Sequence, residues 1–205
     1  IENECSTCHM PMAHYQANIN GQRSKVFANL PINQAVTKQN ILAADGVSCT
    51  MCHQITSENF GERSSFVGQF VIDSTTPMGQ REIYGPYQVD AGRTKLMHSS
   101  SGFRQKQSKH IQQSELCATC HTLITETLGP DGDVIGELPE QVPYLEWRHS
   151  SFKDEQSCQS CHMPVVEEPT PIASVTGQPR EGFSRHSFRG GNFFMLGMLN
   201  RYRAD

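Results

Sequence analysis

Apolar positions along this chain come in short, broken runs. Residues 33–44, NQAVTKQNILAA, put Val36, Ile41 and Leu42 on a partial helical stripe. Asp45-Gly46 then ends the run, as a glycine just past a helix does. Residues 64–73, SSFVGQFVID, are rich in Phe, Val and Ile and predict a strand. The stretch 74–96 carries Pro77, Gly79, Gly85, Pro86 and Gly92 and reads as loop. Ser114 followed by Glu115 marks a helix start, with the helix running to about Leu123. Residues 123–128 alternate, 129–133 (GPDGD) are turn chemistry and 134–138 return, which predicts a hairpin. Pro143 suits the first position of a helix reaching about Phe152, with Leu145, His149 and Phe152 on one face. Residues 165–182, with Pro169, Pro171, Gly177, Pro179 and Gly182, read as an extended arm. An amphipathic helix is expected over 192–205, where Phe194, Leu196, Met198 and Leu199 would pack.

Between these elements one pentapeptide occurs four times: Cys5-Ser6-Thr7-Cys8-His9, Cys49-Thr50-Met51-Cys52-His53, Cys117-Ala118-Thr119-Cys120-His121 and Cys158-Gln159-Ser160-Cys161-His162. C-x-x-C-H is the spacing of c-type haem attachment. Two cysteines three apart lie on one side of a helical turn, so their sulfurs can bond the two vinyl-derived carbons of one haem. The following His is carried under the ring and supplies an axial nitrogen to the iron. Zinc ribbons, thioredoxin-like sites and iron–sulfur clusters also use C-x-x-C pairs, but none requires His after every pair. Nine histidines in 205 residues make any position His at about 0.04, so four such placements by accident have a chance on the order of 10⁻⁶. A disulfide framework fits four identical three-residue spacings poorly.

Composition agrees with a cofactor-built interior. Apolar residues make up 36%, aromatics 8%, and Trp147 is the one tryptophan. That is lean for a core of this length, and four macrocycles would supply the missing apolar surface. The expected fold is mostly irregular, with short α-helices and a minor β-hairpin built around a haem stack. Residues 1–164 form the four-haem domain, and 165–205 an arm and helix closing on the haems or on a neighbouring subunit. The formal charge of −4 disfavours nucleic-acid binding; four ferric haems with ionised propionates would bring it to about −8. No apolar run approaches membrane-spanning length. Because c-type haem is attached outside the cytoplasmic membrane, an extracellular or periplasmic location is expected, with an export signal upstream. The chain starts beside a motif and stops in uncapped helical sequence, so both ends are expected to be cut from something longer.

Four irons leave four further axial positions, and five histidines lie outside the motifs: His14, His98, His110, His149 and His186. His14, His98, His110 and His186 are the expected distal ligands, since they fall in loops or at segment edges. His149 is left spare on a helix with packing partners of its own. Methionine is the rival ligand and would raise the reduction potential, but Met10 and Met163 follow their proximal His too closely to cross the ring.

The segments CSTCHMPMAH, SKHIQQSELCATCHTL, VPYLEWRHSSF, SCQSCHMP and RHSFRGGN resemble the multihaem c-type cytochromes of bacteria and archaea. The resemblance implies haems bound by Cys5, Cys8, Cys49, Cys52, Cys117, Cys120, Cys158 and Cys161, with His9, His53, His121 and His162 as proximal ligands. It further implies electrons passing along a row of contacting haems to redox proteins or extracellular acceptors. With four haems in so short a chain, the sequence is also similar to subunits of extracellular cytochrome filaments. Those polymerise head to tail, and a His near one protomer's start can ligate a haem of the next; His14 matches by position. Electron transfer by a tetrahaem carrier is the leading expectation. A multihaem oxidoreductase of the nitrite or hydroxylamine type, or a fragment of a larger multihaem cytochrome, is the alternative.

Overall fold

The computed structural model describes residues 2–34, 37–173, 175–190, 197, 200 and 201. Short helices and three two-stranded sheets make up the regular structure of these residues. Contacts divide the chain into two units, Ile1–Ser151 and Phe152–Asp205. The fourth motif lies in the second of these units.

In the first unit, Met10 separates α1 (Glu2–His9) from α2 (Pro11–Ile19), and Pro11 occupies the first turn of α2, where no amide donor is needed. Met10 packs with Ala13 and with Ala43 of α3 (Lys38–Asp45), flanked by half-buried Val26 and Leu42. Burying such a side chain contributes about 1.5–3 kcal/mol. Thr37 caps α3 by accepting from the Asn40 amide at 3.1 Å, and Gly46, at φ 59°, ends it. Val36, part of the expected stripe, lies outside the described residues.

The second motif forms α4 (Cys49–Cys52). The strand expected over 64–73 is not there. Val67 and Gly68 take left-handed φ values of 56° and 72°, which no strand accommodates. A single bridge, Ile55 to Ile72, remains. Tertiary partners override the β-propensity: Val67 N donates to Thr122 O at 3.1 Å, and Gly68 N to Thr119 O at 2.6 Å. Phe66 is buried against Ala118 and Tyr144 in a second small cluster.

The stretch read as loop contains structure. β1 (Glu82–Gly85) pairs in parallel with β2 (Arg104–Gln107), and α5 (Ala91–Ser101) makes the crossover that parallel strands need. Asp90 Oδ1 accepts from the Gly92 and Arg93 amides at 3.1 Å each, and left-handed Gly102 closes the helix.

α6 (Ser114–Ala118) stops well before Leu123, because residues 119–122 turn to receive the amides of 67 and 68. The hairpin forms as expected: β3 (Leu123–Leu128) pairs antiparallel with β4 (Val134–Gln141). α7 (Pro143–Arg148) begins at the expected proline and ends four residues before Phe152.

In the second unit, α8 (Cys158–His162) is capped by Ser157, which accepts from the Ser160 amide at 3.3 Å. The following segment doubles back rather than extending as an arm. β5 (Thr170–Pro171) pairs with β6 (Pro179–Arg180), and the pairing continues through Val166 N to Phe183 O at 2.9 Å and Arg185 N to Pro164 O at 3.0 Å. Most of the helix expected over 192–205 lies outside the described residues.

Candidate haem-attachment sites

Each C-x-x-C-H motif sits on a helical turn that buries at least one residue between its cysteines and leaves the cysteines exposed or half-buried. In α1, Ser6 and Thr7 are buried while Cys5 is exposed and Cys8 half-buried. Asn3 fixes this orientation: its carbonyl accepts from Ser6 Oγ at 2.6 Å and Thr7 Oγ1 at 3.1 Å. In the other motifs the buried residues are Met51, Ala118 with Thr119, and Gln159. None of the eight cysteines is buried and none forms a disulfide. Cysteine outside a disulfide is ordinarily among the most buried residue types, so eight exposed or half-buried cysteines are not what packing alone selects.

Three motifs converge in the first unit. The Cys8 and Cys120 thiols hydrogen-bond each other, which draws the Cys8 thiol down and, with burial, pushes Cys120 up. Burial also pushes the Cys52 thiol up, and Cys120 adds to it through charge repulsion. Gly68 lies between motifs one and three: a Cβ there would stand 2.2 Å from Thr7 Cγ2 and 3.3 Å from Cys8 Sγ.

Two of the motif histidines, His53 and His162, are oriented through Nδ1. His53 Nδ1 donates to Tyr84 O at 2.6 Å, and Tyr84 N returns a bond to His53 O at 2.7 Å. His162 Nδ1 donates to Arg189 O at 2.5 Å, while Arg189 N donates to His162 O at 2.9 Å. A backbone carbonyl on Nδ1 fixes the tautomer that carries the lone pair on Nε2, which is how ligating histidines are commonly held. Gln141 Nε2 donates to His121 Nδ1 at 3.1 Å; turning the amide over would let its oxygen accept from that nitrogen instead. His9 ends α1 and is exposed. These side chains fit haem attachment in cysteine orientation and, at His53 and His162, in tautomer.

The remaining histidines divide by the same criterion. The Ser6 hydroxyl proton goes to Asn3 O, so His14 Nδ1 donates to Ser6 Oγ at 2.9 Å and Asn18 Nδ2 donates to His14 Nε2 at 2.8 Å. Burial holds the His14 imidazole below the ordinary histidine pKa. His149 Nδ1 donates to Leu145 O at 2.8 Å. His98 and His110 are reversed: His98 Nε2 donates to Gly79 O at 2.6 Å and His110 Nε2 to Ile55 O at 2.8 Å. Buried His110 also accepts from Ser108 at Nδ1 and meets the Phe60 and Tyr84 rings edge-on. His186 stands edge-on to Phe188 at 5.9 Å, on the segment that returns to the fourth motif.

Comparison with protein-family models, with curated proteins and with solved structures found no match.

No group of three or more His, Cys, Asp or Glu is gathered to hold one metal ion among the described residues; a structural zinc or cysteine-ligated iron–sulfur centre needs four converging ligands. No helix among them is long and apolar enough to cross a membrane. A cavity of about 570 Å³ lies beside Arg23, Ser24, Lys25, Asn29 and Asn40, and its lining includes no cysteine or histidine. Two features beside the motifs escaped the sequence reading, the Val67–Gly68 clamp and Tyr84 as the carbonyl that orients His53. Adjacent Val-Gly in an apolar run was the only signal for the first. The second had none, because Tyr84 lies 31 residues from its partner.

Proposed function

We propose that this chain is an exported tetrahaem c-type cytochrome that carries electrons. The observation that carries the reading is that none of the eight motif cysteines is buried or disulfide-bonded, while each motif buries at least one residue between its cysteines. Cys5 with Cys8, Cys49 with Cys52, Cys117 with Cys120 and Cys158 with Cys161 would each hold one haem through two thioethers. His9, His53, His121 and His162 would each supply the proximal nitrogen. When bound, haem c supplies reversible one-electron exchange. The Tyr84 and Arg189 carbonyls hold His53 and His162 in the ligating tautomer. Distal nitrogens come from among the five histidines outside the motifs, which leaves no iron position for substrate and favours a carrier over an enzyme. The acidic chain suits basic redox partners.

The test is stoichiometric. Protein made in a host that attaches c-type haem, then denatured, is expected to retain four haems by mass, because thioethers survive unfolding. Replacing both cysteines of one motif by serine should remove one. A mass without haem, or haem that acid solvent extracts, would overturn the reading.

A further inference from the structure

The histidine that sequence position marks as spare has the ring geometry of a ligand. His149 follows the last residue of α7, is exposed, and donates from Nδ1 to Leu145 O at 2.8 Å. That bond leaves the lone pair on Nε2, which has no hydrogen-bond partner among the described residues. The helix behind it is rigidly seated. Tyr144 is buried, meets Phe66 edge-on at 5.8 Å, stacks on Trp147 at 5.6 Å, and donates to Glu115 Oε1 at 3.1 Å. Glu115 belongs to α6, which carries Cys117, so the third motif and His149 are held on one packed pair of helices.

His98 presents the opposite case. Its Nε2, the nitrogen a distal ligand offers, donates to Gly79 O at 2.6 Å and ties the 74–80 turn to α5. His110 also donates from Nε2, but it lies at the second motif. Its acceptor is Ile55, two residues beyond His53, and Tyr84, whose carbonyl orients His53, packs on its ring at 4.7 Å.

We infer that His149 is a distal haem ligand, supplying Nε2 to one of the four irons, and that His98 is a structural residue. This rests on the proposed tetrahaem reading and replaces one member of its expected ligand set.

The experiment compares His149→Ala, His149→Met and His98→Ala in haem-loaded protein, reading haem number by mass and spin state by electron paramagnetic resonance. All three variants are expected to keep four haems. His149→Ala should turn one iron in four from low spin to high spin, and added imidazole should return it. His149→Met should keep that iron low-spin and raise the potential of one reductive step, which covers the case in which the alanine variant folds poorly. His98→Ala should leave every iron low-spin. Four attached haems with unchanged spin state and potentials in both His149 variants would overturn the assignment while leaving the tetrahaem reading intact. High-spin iron in His98→Ala would reverse the two roles. Protein with no attached haem would overturn both readings.

Discussion

The Gly68 amide donates to the Thr119 carbonyl at 2.6 Å, joining the third motif to a backbone corner pressed against the first. Gly68 holds φ at 72°, and a Cβ there would lie 2.2 Å from Thr7 Cγ2. Only glycine meets both demands. Gly68→Ala is expected to cost about 2–4 kcal/mol, combining the left-handed penalty with overpacking. Denaturant unfolding of the haem-loaded protein checks the value. Thr7→Ser removes Cγ2 and should recover part of the loss in the double variant. An alanine variant as stable as the parent would show that the two motifs are not docked through this corner.

What was legible in the sequence was local. Gly46 ends α3 where the sequence placed the stop, because a left-handed glycine acts within a few residues; the start at Lys38 behind Thr37, later than the expected Asn33, was not read. The hairpin followed from its turn residues and Pro143 from its fixed φ. The strand over 64–73 failed because Val67 and Gly68 answer to Thr122 and Thr119, partners more than fifty residues away. The helix at 91–101 was missed although Asp90 before it and Gly102 after it are ordinary end signals; the density of Gly and Pro outweighed them. Motif cysteines and the histidines after them were readable as candidate haem ligands because that chemistry needs contiguous spacing. Distal roles were not, since a histidine's tautomer is set by whichever carbonyl the fold brings to it: Ile55 for His110, Gly79 for His98 and Leu145 for His149.

The 73–76 turn is expected to loosen in acid. Asp73 Oδ1 accepts from Thr75 N at 3.0 Å, Thr75 Oγ1 at 2.9 Å and Thr76 N at 3.0 Å, and bonds from Thr76 and then Thr75 hold its carboxyl well below the ordinary value of 3.8. A depressed folded pKa means the contribution is fully present above the unfolded value and is lost as pH falls through the folded one. Protection of the Thr75 and Thr76 amides from hydrogen exchange, corrected for intrinsic rates, should hold from neutral pH to about 4 and decline below it. Asp73→Asn should flatten that acid dependence. An unchanged profile in the asparagine variant would remove Asp73 as its source.

Reduction potential separates histidine from methionine as the distal ligand. A thioether sulfur on the iron raises the potential, and three methionines lie in or beside the motifs, at positions 10, 51 and 163; Met163 follows its motif His162 too closely to cross the ring. Met10 and Met51 are committed to the protein interior. Met10, 5% exposed, packs on Ala13 and Ala43, and Met51 is 4% exposed. Neither can reach an iron without emptying its own packing site, at a cost of about 2–5 kcal/mol if treated as a truncation. On the proposed tetrahaem reading, histidines outside the motifs supply the distal nitrogens, and reductive titration should proceed in several steps, all below the range of Met-ligated cytochromes c. Met10→Leu keeps the packed volume and should leave both the potentials and the low-spin state unchanged. A single high-potential wave in the parent, abolished in Met10→Leu, would show that a core methionine leaves its site to bind iron and would overturn the all-histidine assignment.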